Sequence, residues 1–156
     1  MNSYGSYPAA PPSEVEWEDL LVRYELGPRA LRVALEDVEG DAAADETVGD
    51  LLRVLVLHEL QAAALLAAMR DGRLVSTEPR IAMLGHGPRA AYERYAELRG
   101  RNFAAVQRRG IEVWGWRTEA PHAGPVTAHQ LILASTALDG ETLAGVRQAL
   151  RGAAAC

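Results

Sequence analysis

The chain has 156 residues, a net charge of −5, and arginine alone supplies its 16 basic side chains. That length suits one ordinary domain with a real core, and arginines scattered singly along an acidic chain give no basic stripe for nucleic acid. No apolar run reads as a membrane span, the N-terminus lacks a secretory signal, and the lone Cys156 excludes an internal disulfide, so the expectation is a soluble, cytoplasmic protein with neither membrane nor nucleic acid as partner.

Residues 1–13 (MNSYGSYPAAPPS) are rich in Pro, Gly and Ser, the composition of a flexible N-terminal tail. A single domain is expected over 14–152, with 153–156 as a C-terminal tail. The first helix starts near Ser13-Glu14 and carries Trp17, Leu20, Leu21, Tyr24, Leu31, Leu35 and Val38. Gly27-Pro28 predicts a kink or a break with a restart at Pro28. Residues 39–46 read as an acidic connection.

The second helix is expected over 47–69, with Thr47 and Asp50 as an acidic variant of the capping box. Its stripe is Val48, Leu51, Leu52, Leu55, Ala62, Leu65, Leu66 and Met69, at helical spacing. Arg70-Asp71-Gly72 ends it, and 71–87 form a long connection containing the short apolar piece Ile81 to Leu84. Pro88 opens the third helix, whose stripe is Ala91, Tyr92, Tyr95, Leu98, Phe103 and Val106, with Gly110 as its stop. Residues 111–125 are the least helical part of the body, and only Ile111 to Trp114 competes as a strand. The last helix opens at Thr127 as N-cap and presents Leu131, Ile132, Ser135, Leu138, Thr142, Val146, Ala149 and Leu150 inward. Four amphipathic helices without a convincing alternating strand predict an all-α four-helix bundle.

His58 and Glu59 interrupt the stripe of the second helix. An unpaired buried polar group costs roughly 2–7 kcal/mol, so the two are either paired inside the bundle or line a pocket. Adjacent helical residues point about 100° apart and cannot both face one ion squarely. His86 and His122 lie in loops, His129 opens the last helix, and no two histidines stand at helical spacing. A bland reading has His58 hydrogen-bonded to a neighbouring helix and Glu59 paired with an arginine such as Arg117 or hydrogen-bonded to helix ends. Ser135 and Thr136 have no histidine at helical spacing, and Gly85-His86-Gly87-Pro88 lacks the lysine of a phosphate loop. The Trp114-Gly115-Trp116-Arg117 loop either caps a pocket, with Arg117 holding an anion, or seals the end of the bundle.

Three segments carry a resemblance: YELGPRALRVAL at 24–35, TVGDLLRVLVLHE at 47–59, and WRTEAPHAGPVTAHQLILASTALDGETLAGVRQAL at 116–150. The second resembles S-x-x-E-hydrophobic-x-H-hydrophobic-x-x-x-E, and the third resembles W-x-R…H…G-x-V-T-x-x-Q-L…H-D-x-x-H-L. Both patterns belong to the DinB/YfiT-like superfamily, so the resemblance implies a DinB-like four-helix bundle with a long connection between helices 2 and 3, in a homodimer. Many members hold a divalent metal such as zinc or nickel with one histidine from the second helix and two from the fourth. In that register Val54, Leu138 and Thr142 stand at the ligand positions, while Glu59 and Asp139 are kept.

Aliphatic groups donate no lone pair and a threonine hydroxyl is a feeble ligand. The resemblance therefore implies a member without metal or other cofactor, a non-catalytic bundle for a small molecule or a protein partner. His58, Glu59, Tyr92, Trp116, Arg117 and Asp139 are its candidate ligand-binding residues, around a polar cavity between Glu59, Tyr92, Arg117 and Asp139. The alternative is a metal-dependent thiol transferase or hydrolase-type enzyme with a shifted site, in which His58 joins Asp139, Glu141 or a loop histidine.

Overall fold

The computed structural model describes residues 4–36, 42–75 and 87–154. Four long helices dominate: α1 (Glu14–Leu35), α2 (Ala42–Asp71), α3 (Gly87–Gln107) and α4 (Ala128–Ala154). A 3-10 helix (Gly110–Gly115) and a small antiparallel sheet, β1 (Arg117–Ala120) with β2 (Gly124–Thr127), lie between α3 and α4. α1 packs on α3 and α4, and α2 packs on the same two, so α1 and α2 occupy opposite corners. The architecture is all-α with one short hairpin.

Local chemistry sets the helix ends. Ser13 Oγ accepts from the Glu16 amide at 3.2 Å while Glu16 returns the bond to the Ser13 amide at 2.8 Å, a complete capping box. Thr127 caps α4 as expected, with Gln130 as its reciprocal partner at 3.1 and 3.0 Å. At the end of α2, Gly72 adopts a φ of +65° and the Arg73 amide reaches back to Ala68 O at 3.0 Å, a Schellman closure.

Several expectations are corrected. Residues 4–13 are no loose tail, because the Tyr4 ring is buried in the core and α4 binds the backbone behind it. Gln130 Nε2 donates to Tyr7 O at 3.0 Å, and His129 Nδ1 lies 3.0 Å from Ala10 O. Thr47 is not the N-cap of α2, which begins at Ala42 and takes in the end of the acidic connection. The 111–125 stretch is a 3-10 helix followed by a hairpin, with Ile111 to Trp114 in the former. α4 runs through Ala154, into the supposed C-terminal tail. Val38, most of the 71–87 connection including Ile81 to Leu84, His86 and Cys156 lie outside the described residues.

α2 also corrects the reading of apolar runs: Ala44–Asp71 is long and apolar enough to cross a membrane by length and composition. Here its apolar side chains cover the bundle core, with Val48, Leu52, Leu55, Val56, Ala62 and Leu65 at 0% exposure.

Pro28 does not break α1, which runs unbroken through it. A proline lacks the N–H that would have bonded the carbonyl one turn back, here that of Tyr24. The Arg99 guanidinium fills the gap, Nη1 donating to Tyr24 O at 2.8 Å. Gly27 beside it lets α4 approach: a Cβ there would overlap Asp139 Oδ2 and come within 3.0 Å of Arg99 Nη1. Gly-to-Ala in a helix interior normally stabilises by about 1 kcal/mol. Gly27→Ala should instead lose about 1–3 kcal/mol by overpacking, which urea unfolding would read directly.

Candidate functional site

The apolar core falls into two clusters, one around Tyr24, Leu65, Val113 and Ile132 at the hairpin end, the other around Leu31, Leu55, Tyr95 and Val146. On every helix a polar group marks the boundary between them. Arg99 of α3 is at its centre, 1% exposed, and all five of its N–H groups are used. Nε and Nη2 donate to Glu59 Oε1 at 2.8 and 2.7 Å. Nη1 and Nη2 donate to Asp139 Oδ2 and Oδ1 at 2.7 and 2.9 Å, and Nη1 also takes the Tyr24 carbonyl.

The surroundings complete the centre. Asn102 Nδ2 donates to Glu59 Oε2 at 2.8 Å and Glu59 O at 3.1 Å, and Tyr95 Oη donates to Asp139 Oδ1 at 2.6 Å. Arg99 Cζ stacks 4.4 Å from the Tyr24 ring centroid and 5.3 Å from that of Tyr95. Burial pulls the guanidinium pKa down, but Glu59, Tyr95 and Asp139 more than reverse it and hold it well above its ordinary value. Burial raises the Asp139 carboxyl, and the second carboxylate at Glu59 adds to that against the opposing pull of Arg99.

The sequence grouping of candidate site residues is therefore partly redrawn. Glu59 and Asp139 do meet, but around Arg99 rather than around a cavity. Glu59 pairs with Arg99, not with Arg117, which is exposed on β1. Tyr92 Oη donates to Pro28 O at 2.9 Å, and its ring lines a different cleft with Arg32, Asp45, Arg89 and Glu93 at the opposite end of the bundle. Trp116 packs on the hairpin-end core, and Trp114 meets Trp17 edge to face at 6.4 Å. Both tryptophans of the loop pack, partly buried, against that core. Arg99 and Asn102 went unread, although Tyr95, Arg99, Asn102 and Val106 keep the helical spacing that exposed Glu59.

His58 lies on α2 just before Glu59, and its Nε2 is 2.8 Å from Ser135 Oγ. With the Ser135 hydroxyl hydrogen assigned to Leu131 O, 3.0 Å away, Oγ accepts and His58 carries its proton on Nε2. Nδ1 is left as an acceptor. Burial lowers the imidazole pKa from 6.5, keeping it neutral near pH 7. This polarity is the reverse of a histidine that activates a serine. His58 lines a cleft of about 320 Å³ with Tyr4, Val54, Gln61, His122 and Leu138 among its walls. His122 sits at the tip of the hairpin with a φ of +62°.

Val54 and Leu138 thus face one cleft together with His58. Val54 is 51% exposed and does not line the bundle interior as expected, whereas Thr142 is buried. Asp139 is committed to Arg99 and Tyr95, and Glu141 is exposed. Among the described residues no three His, Cys, Asp or Glu side chains converge as a metal-ligand set. A shifted site that drew on Asp139 would have to break its bonds to Arg99. Comparison of the chain with protein-family models, with curated proteins and with solved structures returns no match.

Removing the cation should be costly. Arg99→Met leaves two buried carboxylates facing each other and should lose about 3–5 kcal/mol in chemical denaturation. The pH dependence has a definite sign. A carboxyl raised above its ordinary 3.8 in the folded state contributes stability that is full below that value and lost as pH rises through the folded pKa. Wild-type stability measured relative to Asp139→Asn should therefore fall as the pH is raised from below 3.8 through the acid range.

Proposed function

We propose that this chain is a DinB-like bundle that has given up the superfamily's metal centre and works by binding a small molecule rather than by catalysis. One observation carries the reading: two of the three positions in register with the family's ligands, Val54 and Leu138, line a single cleft beside His58 and are aliphatic. The third, Thr142, lies one turn beyond Leu138 on α4 and is buried. The buried charges offer no substitute ligand set, because Arg99 already holds both carboxylates.

The cleft also suggests a ligand chemistry. Its walls are Tyr4, Val54, Leu57, His58, Gln61, Pro121, His122, Ala123 and Leu138, without an arginine or a carboxylate. About 320 Å³ suits a small neutral molecule with an apolar body. The acceptor at His58 Nδ1 favours one hydrogen-bond donor on that molecule, and Gln61 supplies either role.

Two measurements test this. After dialysis against zinc or nickel, the native chain should retain no stoichiometric metal, while the Val54→His, Leu138→His, Thr142→His combination should take up one equivalent. A folded triple variant that binds neither ion would break the DinB register; stoichiometric metal in the native protein would end the non-catalytic reading. Indole, a neutral ring with a single N–H donor, serves as probe for the cleft. It should shift the amide resonances around His58 and Leu138, and the shifts should weaken in His58→Phe. Saturating indole without any change at those residues would remove the cleft from consideration.

A further inference from the structure

The outer face of α1 is as patterned as its inner one. Trp17, Leu20, Tyr24 and Leu31 point into the bundle. On the opposite side Val15, Val22, Leu26 and Val33 are 69, 53, 44 and 57% exposed, spaced by seven, four and seven residues. Asp19 and Arg29, both exposed, fill the two gaps. The whole set, 15, 19, 22, 26, 29 and 33, is the alternating three-and-four spacing of a helix seam. A helix with an apolar stripe on both faces has a use for a second packing partner.

We propose that the partner is a second copy of this chain, with α1 packed antiparallel on α1 across a two-fold axis level with Tyr24. Charge decides both the occupant and the direction. The first half of the helix carries Glu14, Glu16, Glu18 and Asp19, and the second half carries Arg29 and Arg32. In the antiparallel register Val15 meets Val33, Val22 meets Leu26, and Asp19 meets Arg29, each twice by symmetry. Glu18 on the flank comes opposite Arg32. Beside the axis Arg23 comes next to its own copy on one flank and Glu25 next to its own copy on the other, so the favourable charge contacts of this register are those of Asp19 with Arg29 and Glu18 with Arg32. A parallel pairing would set Asp19 against Asp19 and Arg29 against Arg29. One surface thus complements itself, the requirement of a closed two-fold dimer.

The seam from Val15 to Val33 is about 27 Å long at helical rise. Beside it a groove of about 470 Å³ between α1 and α4, walled by Leu26, Ala30, Leu133, Ala137 and Leu143, extends the apolar face. No α1 residue lines the His58 cleft. The dimer leaves that cleft open, and the two proposals fail separately.

The full chain is tested by light scattering after gel filtration and by sedimentation equilibrium at tens of micromolar. The expected mass is twice the 16.8 kDa of the chain. Val22→Glu with Leu26→Glu should give a monomer with unchanged helical circular dichroism, since both side chains are exposed, while Ile111→Glu, on a surface far along the chain and 68% exposed, should stay dimeric. Asp19→Arg alone or Arg29→Asp alone should weaken the dimer by roughly tenfold, and the two together should restore it. In a Cys156→Ser background, Glu25→Cys should oxidise to a disulfide-linked dimer and Val15→Cys should not, because the antiparallel register brings residue 25 beside its own copy near the axis and holds the two copies of residue 15 about 27 Å apart along the seam, whereas a parallel pairing would bring the two copies of residue 15 together. A monomeric wild type, a dimer untouched by Val22→Glu with Leu26→Glu, or a double charge reversal that fails to restore association would each overturn the proposal.

Discussion

A single guanidinium holds the four helices in register. Arg99 projects from α3 and takes Glu59 on α2, Asp139 on α4 and the Tyr24 carbonyl on α1. Withdrawing these charges from water is expensive, and their mutual attraction offsets that only where geometry is good and every remaining polar atom finds a partner. Here five N–H groups meet five acceptor contacts, and Asn102 and Tyr95 occupy the outer lone pairs of the carboxylates. Any sliding of one helix along another would strand a charge in the core. The centre therefore specifies alignment more than it adds stability.

The same demand explains two residues of α1 that look wrong for a helix. Pro28 removes the amide that would have bonded Tyr24 O, and that freed carbonyl accepts the fifth hydrogen bond of Arg99. Gly27 removes a side chain where the carboxylate of Asp139 needs the space. Helix continuity across Gly-Pro is thus a property of the tertiary contact. The isolated segment would kink there.

The chemistry of the interior is quiet by construction. Its carboxylates are paired, its serine is hydrogen-bonded to its own helix, and its histidine is neutral and hydrogen-bonded to that serine. Groups so fully engaged hold a fold in place and leave little free for proton transfer or metal coordination. The two surfaces proposed for recognition are the cleft beside His58 under the hairpin and the outer stripe of α1. They sit on different elements, so occupation of one does not obstruct the other.

Local sequence was enough for the helical class, the start of α1 near Ser13-Glu14, the cap at Thr127, the glycine stop after Asp71, and the buried stripes of α2 and α4, because each depends on neighbours three or four residues away. It also flagged Glu59 as a polar residue on a buried face. It could not say which cation Glu59 meets, since Arg99 lies forty residues further on and only packing brings α3 beside α2. The hairpin escaped notice because four-residue strands carry too little alternation to register, and Tyr4 because an aromatic in a stretch rich in Pro, Gly and Ser is pinned only by the core it enters. What the chain wrote locally was its helices. Where the charges pair, which carbonyl replaces a missing amide donor and which face stays uncovered were decided in three dimensions, by the need to leave no buried charge alone.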